Sequence, residues 1–213
     1  MINYLSKHLL LAFLVMNTTV SYAQKISVES GEQTAGFSYT ADSGSAEPVI
    51  YYQQNIQMLS SIADKASISI YGDGHVLVHY PVYMKKAGDY EMKLDETELV
   101  ELMQSFSSNG VLDFDEAQVK KNIYSYKKNL HANGKFHEVS DGVVTSITIR
   151  LDEYQKNKST KVINNYFKDF RLANIEHAAK QFYQNTDVVN ANKSVLDVKS
   201  LMEDARLVKM ERR

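Results

Sequence analysis

The chain has 213 residues, a formal net charge of −2 and no cysteine. So even a balance leaves no electrostatic footprint for nucleic acid or for an anionic membrane surface. The missing thiols exclude cysteine nucleophiles, thiolate metal sites, iron–sulfur clusters and disulfides, so an apolar core must supply the stability.

The first element is an address. Lys7 and His8 form a basic start, residues 9–16 an unbroken apolar run, Asn17-Thr18-Thr19 a break, and Ser21 and Ala23 a small-x-small cleavage pattern. The run is too short for a membrane span, which needs about 20 residues. The pattern predicts a signal peptide over residues 1–23, cut between Ala23 and Gln24 and directing the chain to the periplasm or beyond the cell. No cysteine follows the cut to carry a lipid, and no later segment is apolar enough to span. No stable membrane anchor is expected after cleavage. Residues 24–46 are rich in Gly, Ser and Thr and poor in large apolar residues, which predicts a disordered leader.

Structure is expected from residue 47 onward. Residues 49–53 read as a strand and 60–65 as a helical turn or loop. Ala66, Ile68 and Ile70 alternate with polar residues. Gly72-Asp73-Gly74 follows, and Val76, Val78 and Tyr80 alternate again, the pattern of a β-hairpin. A third strand is expected over 90–94. Asp95 and Glu98 have capping-box spacing, and Leu99, Leu102, Met103 and Phe106 then share one helix face. Asn109-Gly110 ends that helix, and Asp113 with Glu116 repeats the cap spacing ahead of a second one. Residues 130–142 read as a loop or a small hairpin around Asn133-Gly134. Ile147, Ile149 and Leu151 alternate as a strand whose partner lies in 160–166. Ile175, Ala178, Ala179 and Phe182 have helical spacing, and Ser194 with Asp197 reads as the cap of a last helix. The predicted organisation is one α+β domain over residues 47–187, followed by a C-terminal tail over 188–213 that carries that helix. The domain is an antiparallel sheet of two hairpins with helices packed on one face.

Ile68-Ser-Ile-Tyr-Gly-Asp-Gly74, the helix start at 93–99, and Thr145-Ser-Ile-Thr-Ile149 with its hairpin together resemble a bacterial domain-of-unknown-function family. Its members are small exported domains with an I-Y-G-D-G hairpin and a later T-x-I-x-I hairpin. The resemblance spans residues 66–185 and implies a fold. It brings no activity and no catalytic residues, and this chain lacks the cysteine-rich segment that many members carry.

Candidate sites are sparse. His75 and His79 share one face of a strand with Cα atoms about 13 Å apart, too far to hold one zinc together. A polar outer face explains them as well. His131 and His137 flank Asn133-Gly134 and would approach across a hairpin there, with Glu138 or Asp141 as a third metal ligand. Asp113, Asp115 and Glu116 form an acidic cluster that helix capping accounts for. Asp73 between two glycines is a turn residue. Tyr80, Tyr83, Met84, Tyr90 and Met92 gather around Pro81 and suit a partner surface, being large, apolar and adaptable. No nucleophile elbow, phosphate loop, dinucleotide fingerprint or zinc-helix motif occurs. The expectation is a non-enzymatic exported domain that binds a protein or an envelope component and uses no cofactor. The alternatives are a hydrolase with a His and carboxylate site, or a weak metal-binding protein.

Overall fold

The computed structural model describes residues 23–30, 33–41, 47–59, 62–135 and 142–211. The signal peptide expected over 1–23 lies outside them except for Ala23. Among the described residues, β1 (Ala23–Ser30), β2 (Gln33–Thr40), β3 (Ile50–Ile56), β4 (Ser67–Ile70), β5 (His75–Tyr80), β6 (Gly88–Lys93), β7 (Val143–Gln155), β8 (Ile163–Ala173) and β9 (Val208–Lys209) form one antiparallel sheet. Helices α1 (Glu96–Ser108), α2 (Glu116–Ala132), α3 (Ile175–Gln181) and α4 (Thr186–Met202) complete an α+β fold.

Period-two alternation explains which face is buried. Ile68 and Ile70 stand opposite Val78 and Val76 in the β4–β5 pairing, and all four are fully enclosed. Ile50 and Tyr52 on β3 meet Ile149 and Ile147 on β7 in the same layer. Leu99, Met103 and Phe106 of α1 and Val188, Ala191, Val195 and Val198 of α4 belong to the same core. Strand β7 is the backbone of the sheet. One of its edges is lined by β8 throughout, while the other is shared end to end by β3 and β2.

The first hairpin forms with the expected register, but its two glycines act differently. Gly74 has φ +85°, the left-handed residue that closes a three-residue loop after the turn at Tyr71. Gly72 is required by proximity instead. A Cβ there would sit 2.0 Å from the carbonyl oxygen of Thr40, where the end of β2 crosses the turn. Asp73 accepts from the backbone N–H of His75 at 3.0 Å, a turn role.

Two regions expected to lie outside the domain are part of it. Residues 24–46 are no unstructured leader throughout: β2 pairs with both β1 and β7, and Phe37 and Tyr39 are each 1 % exposed. The Ser, Thr and Gly that dominate this stretch concealed two aromatics spaced to reach one face of a strand. The described residues of the expected tail, 188–211, are part of the domain as well. The helix α4 begins at Thr186, with the Asn185 side chain accepting from the N–H of Val188. Ser194 and Asp197 therefore do not cap it. They face α1, where Asn109 donates to Ser194 and Ser105 donates to Asp197 at 2.6 Å, a polar seam between two helices. The chain then returns to the sheet as β9 beside β6, and Arg206 pairs with Glu98 at 2.9 Å.

The capping box of α1 is as expected, with Asp95 accepting from the Glu98 N–H and Glu98 accepting from the Asp95 N–H, both at 2.9 Å. The second cap shifts by two residues. Asp115 caps α2, while Asp113 ends a short 3-10 turn and accepts from the Tyr154 hydroxyl at 2.8 Å. Glu116 accepts from the backbone N–H of Arg171 at 2.8 Å, satisfying a donor on the open edge of β8. Of the loop or small hairpin expected over 130–142, residues 130–132 belong to α2, which runs to Ala132, and residues 136–141 lie outside the described residues. Asn133 caps that helix and Gly134 takes φ +69°.

Candidate functional site

Titratable side chains gather on the solvent face of β4, β5 and β6. Alternation along β5 turns Val76, Val78 and Tyr80 inward and His75, Leu77 and His79 outward. The register sets His79 opposite Ser67 on one side and Asp89 on the other. Asp64, from the segment before β4, reaches the same ring. Nδ1 of His79 lies 2.5 Å from a carboxylate oxygen of Asp89, and Nε2 lies 2.5 Å from one of Asp64. The second oxygen of Asp64 accepts from the Val82 N–H at 3.0 Å, so this carboxylate also holds the loop after β5.

Only a protonated imidazole can donate from both nitrogens at once. The bond to Asp89 raises the pKa of His79 most, partial burial opposes it, and the bond to Asp64 reinforces the rise. While protonated, an imidazole with both N–H groups committed has no lone pair with which to deprotonate the neighbouring Ser67. The two acids also sit on opposite sides of the ring and cannot share a cation with it. Among the described residues, no group of three His, Asp or Glu side chains is arranged to hold a metal. The arrangement is a clamp that ties two loops to the sheet.

A raised folded-state pKa means that the clamp contributes fully below the unfolded value, about 6.5, and is lost as pH rises through the folded value. About a third of the His79 side chain is exposed (34 %), so the contribution is limited to roughly 1 kcal/mol or less. Thermal unfolding of wild type should show a midpoint falling by a few degrees as pH climbs above about 6.5. His79→Gln should flatten that slope; an unchanged slope would show that the clamp is not the source.

The second candidate, like the cavity of about 420 Å³ that His79 and Asp89 line with Ser67, is concave. The helix α2 leaves the body after the buried Val119 and the half-buried Ile123. Its Tyr126 meets Phe182 edge-on, with ring centroids 4.7 Å apart. Phe182 closes α3 by donating its N–H to Ala178, and the Asn185 N–H donates back to the Phe182 carbonyl at 2.7 Å. The corner between α3 and α4 is thus fixed from both sides. Between it and α2 lies a cleft of about 580 Å³, within the range of roughly 300–1,000 Å³ usual for small-molecule sites.

Four carboxamides line this cleft, from Asn122, Gln181, Gln184 and Asn185, together with Tyr126, Phe182 and Tyr183. Among the described residues, Asp187 is the one charged residue in its wall. No family model, curated protein or solved structure matches this chain. The sites therefore stand on their geometry alone.

The residues singled out in the sequence fare unevenly. Tyr80 and Met92 are core residues, 7 % and 6 % exposed, because the β5–β6 register turns them inward. Tyr90 follows them, packed edge-on against Tyr80 at 5.5 Å. The Tyr80 hydroxyl donates to the carbonyl of Met202, tying the sheet to α4. Tyr83 and Met84 alone of the five are exposed, on the loop after β5. His131 lies exposed in the last turn of α2. His137, Glu138 and Asp141 lie outside the described residues. Asp89 lies one residue before the strand expected over 90–94, and the observed register, with β6 starting at Gly88, sets it against His79. Asp64 and the cleft were not legible in the sequence, because their parts are brought together by packing across distant segments.

Proposed function

We propose that this chain is an exported, non-catalytic binding domain that takes an envelope component in the cleft between α2 and the α3–α4 corner. The observation that carries the proposal is the cleft itself: a preformed concavity with many hydrogen-bonding groups and aromatic walls and, among the described residues, no nucleophile with a partnered base. His79, which meets two acids, has both nitrogens committed to them, and this argues against the hydrolase reading. Export rests on the pattern in residues 1–23. The hairpin motifs behind the resemblance to small exported bacterial domains are turn and core residues here, and they support the fold side of the reading. Tyr83 and Met84 offer a smaller second contact.

The test has two parts. The full chain, expressed in a bacterium with its own leader, should be recovered by osmotic shock with an intact mass beginning at Gln24. Immobilised mature domain should then retain a component of an envelope extract, and the Asn122→Ala/Gln181→Ala double variant should lose it. Equal retention by the variant would move binding away from the cleft. Chemical conversion of the retained component would overturn the non-catalytic reading.

A further inference from the structure

The lining of the cleft narrows the class of ligand, and this inference rests on the binding-domain reading above. Three features combine. The first is aromatic surface: Tyr183 is 72 % exposed and Tyr126 43 % exposed, and both residues line the cleft, Tyr126 with an edge contact to Phe182. Aromatic faces carry negative charge density and attract weakly polarised C–H groups, while the tyrosine hydroxyl adds a polar tip. The second is the density of carboxamides. Each offers a carbonyl acceptor and an NH₂ carrying two donors, so a cluster of them meets groups that both donate and accept. The Asn122 carbonyl is taken by Gln118 at 2.8 Å and that of Asn185 by the Val188 N–H at 3.2 Å. Their NH₂ groups are thereby oriented, with donors fixed in place. The third is charge. Among the described residues, the wall has no Lys, Arg or His, and a single carboxylate, Asp187, which disfavours anions.

A ligand that matches all three has apolar C–H faces, a dense rim of hydroxyls that donate and accept, and no net charge. We infer that the cleft binds a neutral saccharide, with a pyranose ring stacked on Tyr183 and its hydroxyls held by Gln181, Gln184 and Asp187. An acidic peptide fits poorly beside Asp187. A purely apolar ligand would leave the oriented amides without partners, at a cost for each one desolvated.

Two-dimensional ¹H–¹⁵N spectra of the mature domain, titrated with cellotetraose, maltotetraose and the tetramer of N-acetylglucosamine, test this. At least one should shift the amides of residues 181–187 and 122–126. Tyr183→Ala and Gln184→Ala should each weaken that binding by roughly tenfold. Both positions are exposed, so the variants should keep the wild-type unfolding midpoint. Tyr124→Ala, equally exposed on α2 but outside the cleft wall, should bind as wild type does. Saccharide binding that survives both cleft variants overturns the inference. So does a cleft that ignores all three sugars but shifts with a glutamate-rich peptide, an outcome that leaves the binding-domain reading standing. A cleft silent to every probe, together with no retained envelope component, removes both.

Discussion

Phe37→Ala is expected to destabilise the mature domain by about 3–5 kcal/mol, the range for deleting an enclosed aromatic ring. Phe37 is 1 % exposed and stands opposite Tyr154 of β7, at the point where β2 joins the central strand. Its removal leaves a cavity among residues that cannot follow it, because Tyr154 is held by its bond to Asp113 and packs on Tyr166 at a centroid distance of 4.7 Å. Denaturant unfolding of residues 24–213, followed by circular dichroism, measures the change. The apparent midpoint of thermal unfolding should fall by about 10 °C, given a few degrees for each kcal/mol in a chain of this size. Val82→Ala provides the control: Val82 is 76 % exposed and its loss should change stability by no more than about 0.5 kcal/mol. A disordered leader would make both substitutions equally harmless, so the contrast between them decides whether β2 is part of the fold.

Val198→Asp should abolish cooperative folding. Val198 is fully enclosed on the inner face of α4, among Val188, Ala191 and Val195. A carboxylate there is buried without a cationic partner, a defect costing more than about 4 kcal/mol, a large share of the stability of an ordinary domain. The expected result is loss of the sigmoidal transition and recovery of the variant mainly as aggregate or degraded chain. Leu196→Asp, two residues earlier on the same helix but 45 % exposed, should leave the transition nearly in place. If Val198→Asp instead unfolded with a near-native midpoint, α4 would be peripheral, as a tail over 188–213 would require.

These two substitutions fall in the two regions that sequence reading placed outside the domain, for a common reason. Both segments depend on sequence-distant partners. β2 has only two large apolar residues facing the core, Phe37 and Tyr39, and so few are outweighed by the polar residues around them in 24–46. Its docking is decided by β7, more than a hundred residues later. The last helix showed its apolar spacing, but its start was read from Ser194 and Asp197, which have the right residue types at the right separation. What distinguishes a cap from a mid-helix seam is the neighbour, and the neighbours of Ser194 and Asp197 are Asn109 and Ser105 on α1. The same limit applies to the tyrosines. Tyr80, Tyr83 and Tyr90 cluster in sequence, yet pleat parity sends two inward and leaves one on a loop.

The short-range features were legible. The β4–β5 hairpin, the capping box at Asp95 and Glu98, the end of α1 at Asn109-Gly110 and the β7–β8 pairing all follow from contacts spanning a few residues to about thirty. Local sterics, turn geometry and hydrophobic period are sufficient to fix such contacts. By itself the sequence determined the α+β class, the β4–β5 and β7–β8 hairpins and the inward residues of β4 and β7, because side-chain alternation and helical spacing are properties of the chain alone. Tertiary structure decided where the domain begins and ends, the two carboxylates on His79, and the cleft between α2 and the α3–α4 corner. Each of these joins groups far apart in sequence, and their meeting is set by the packing of a whole core.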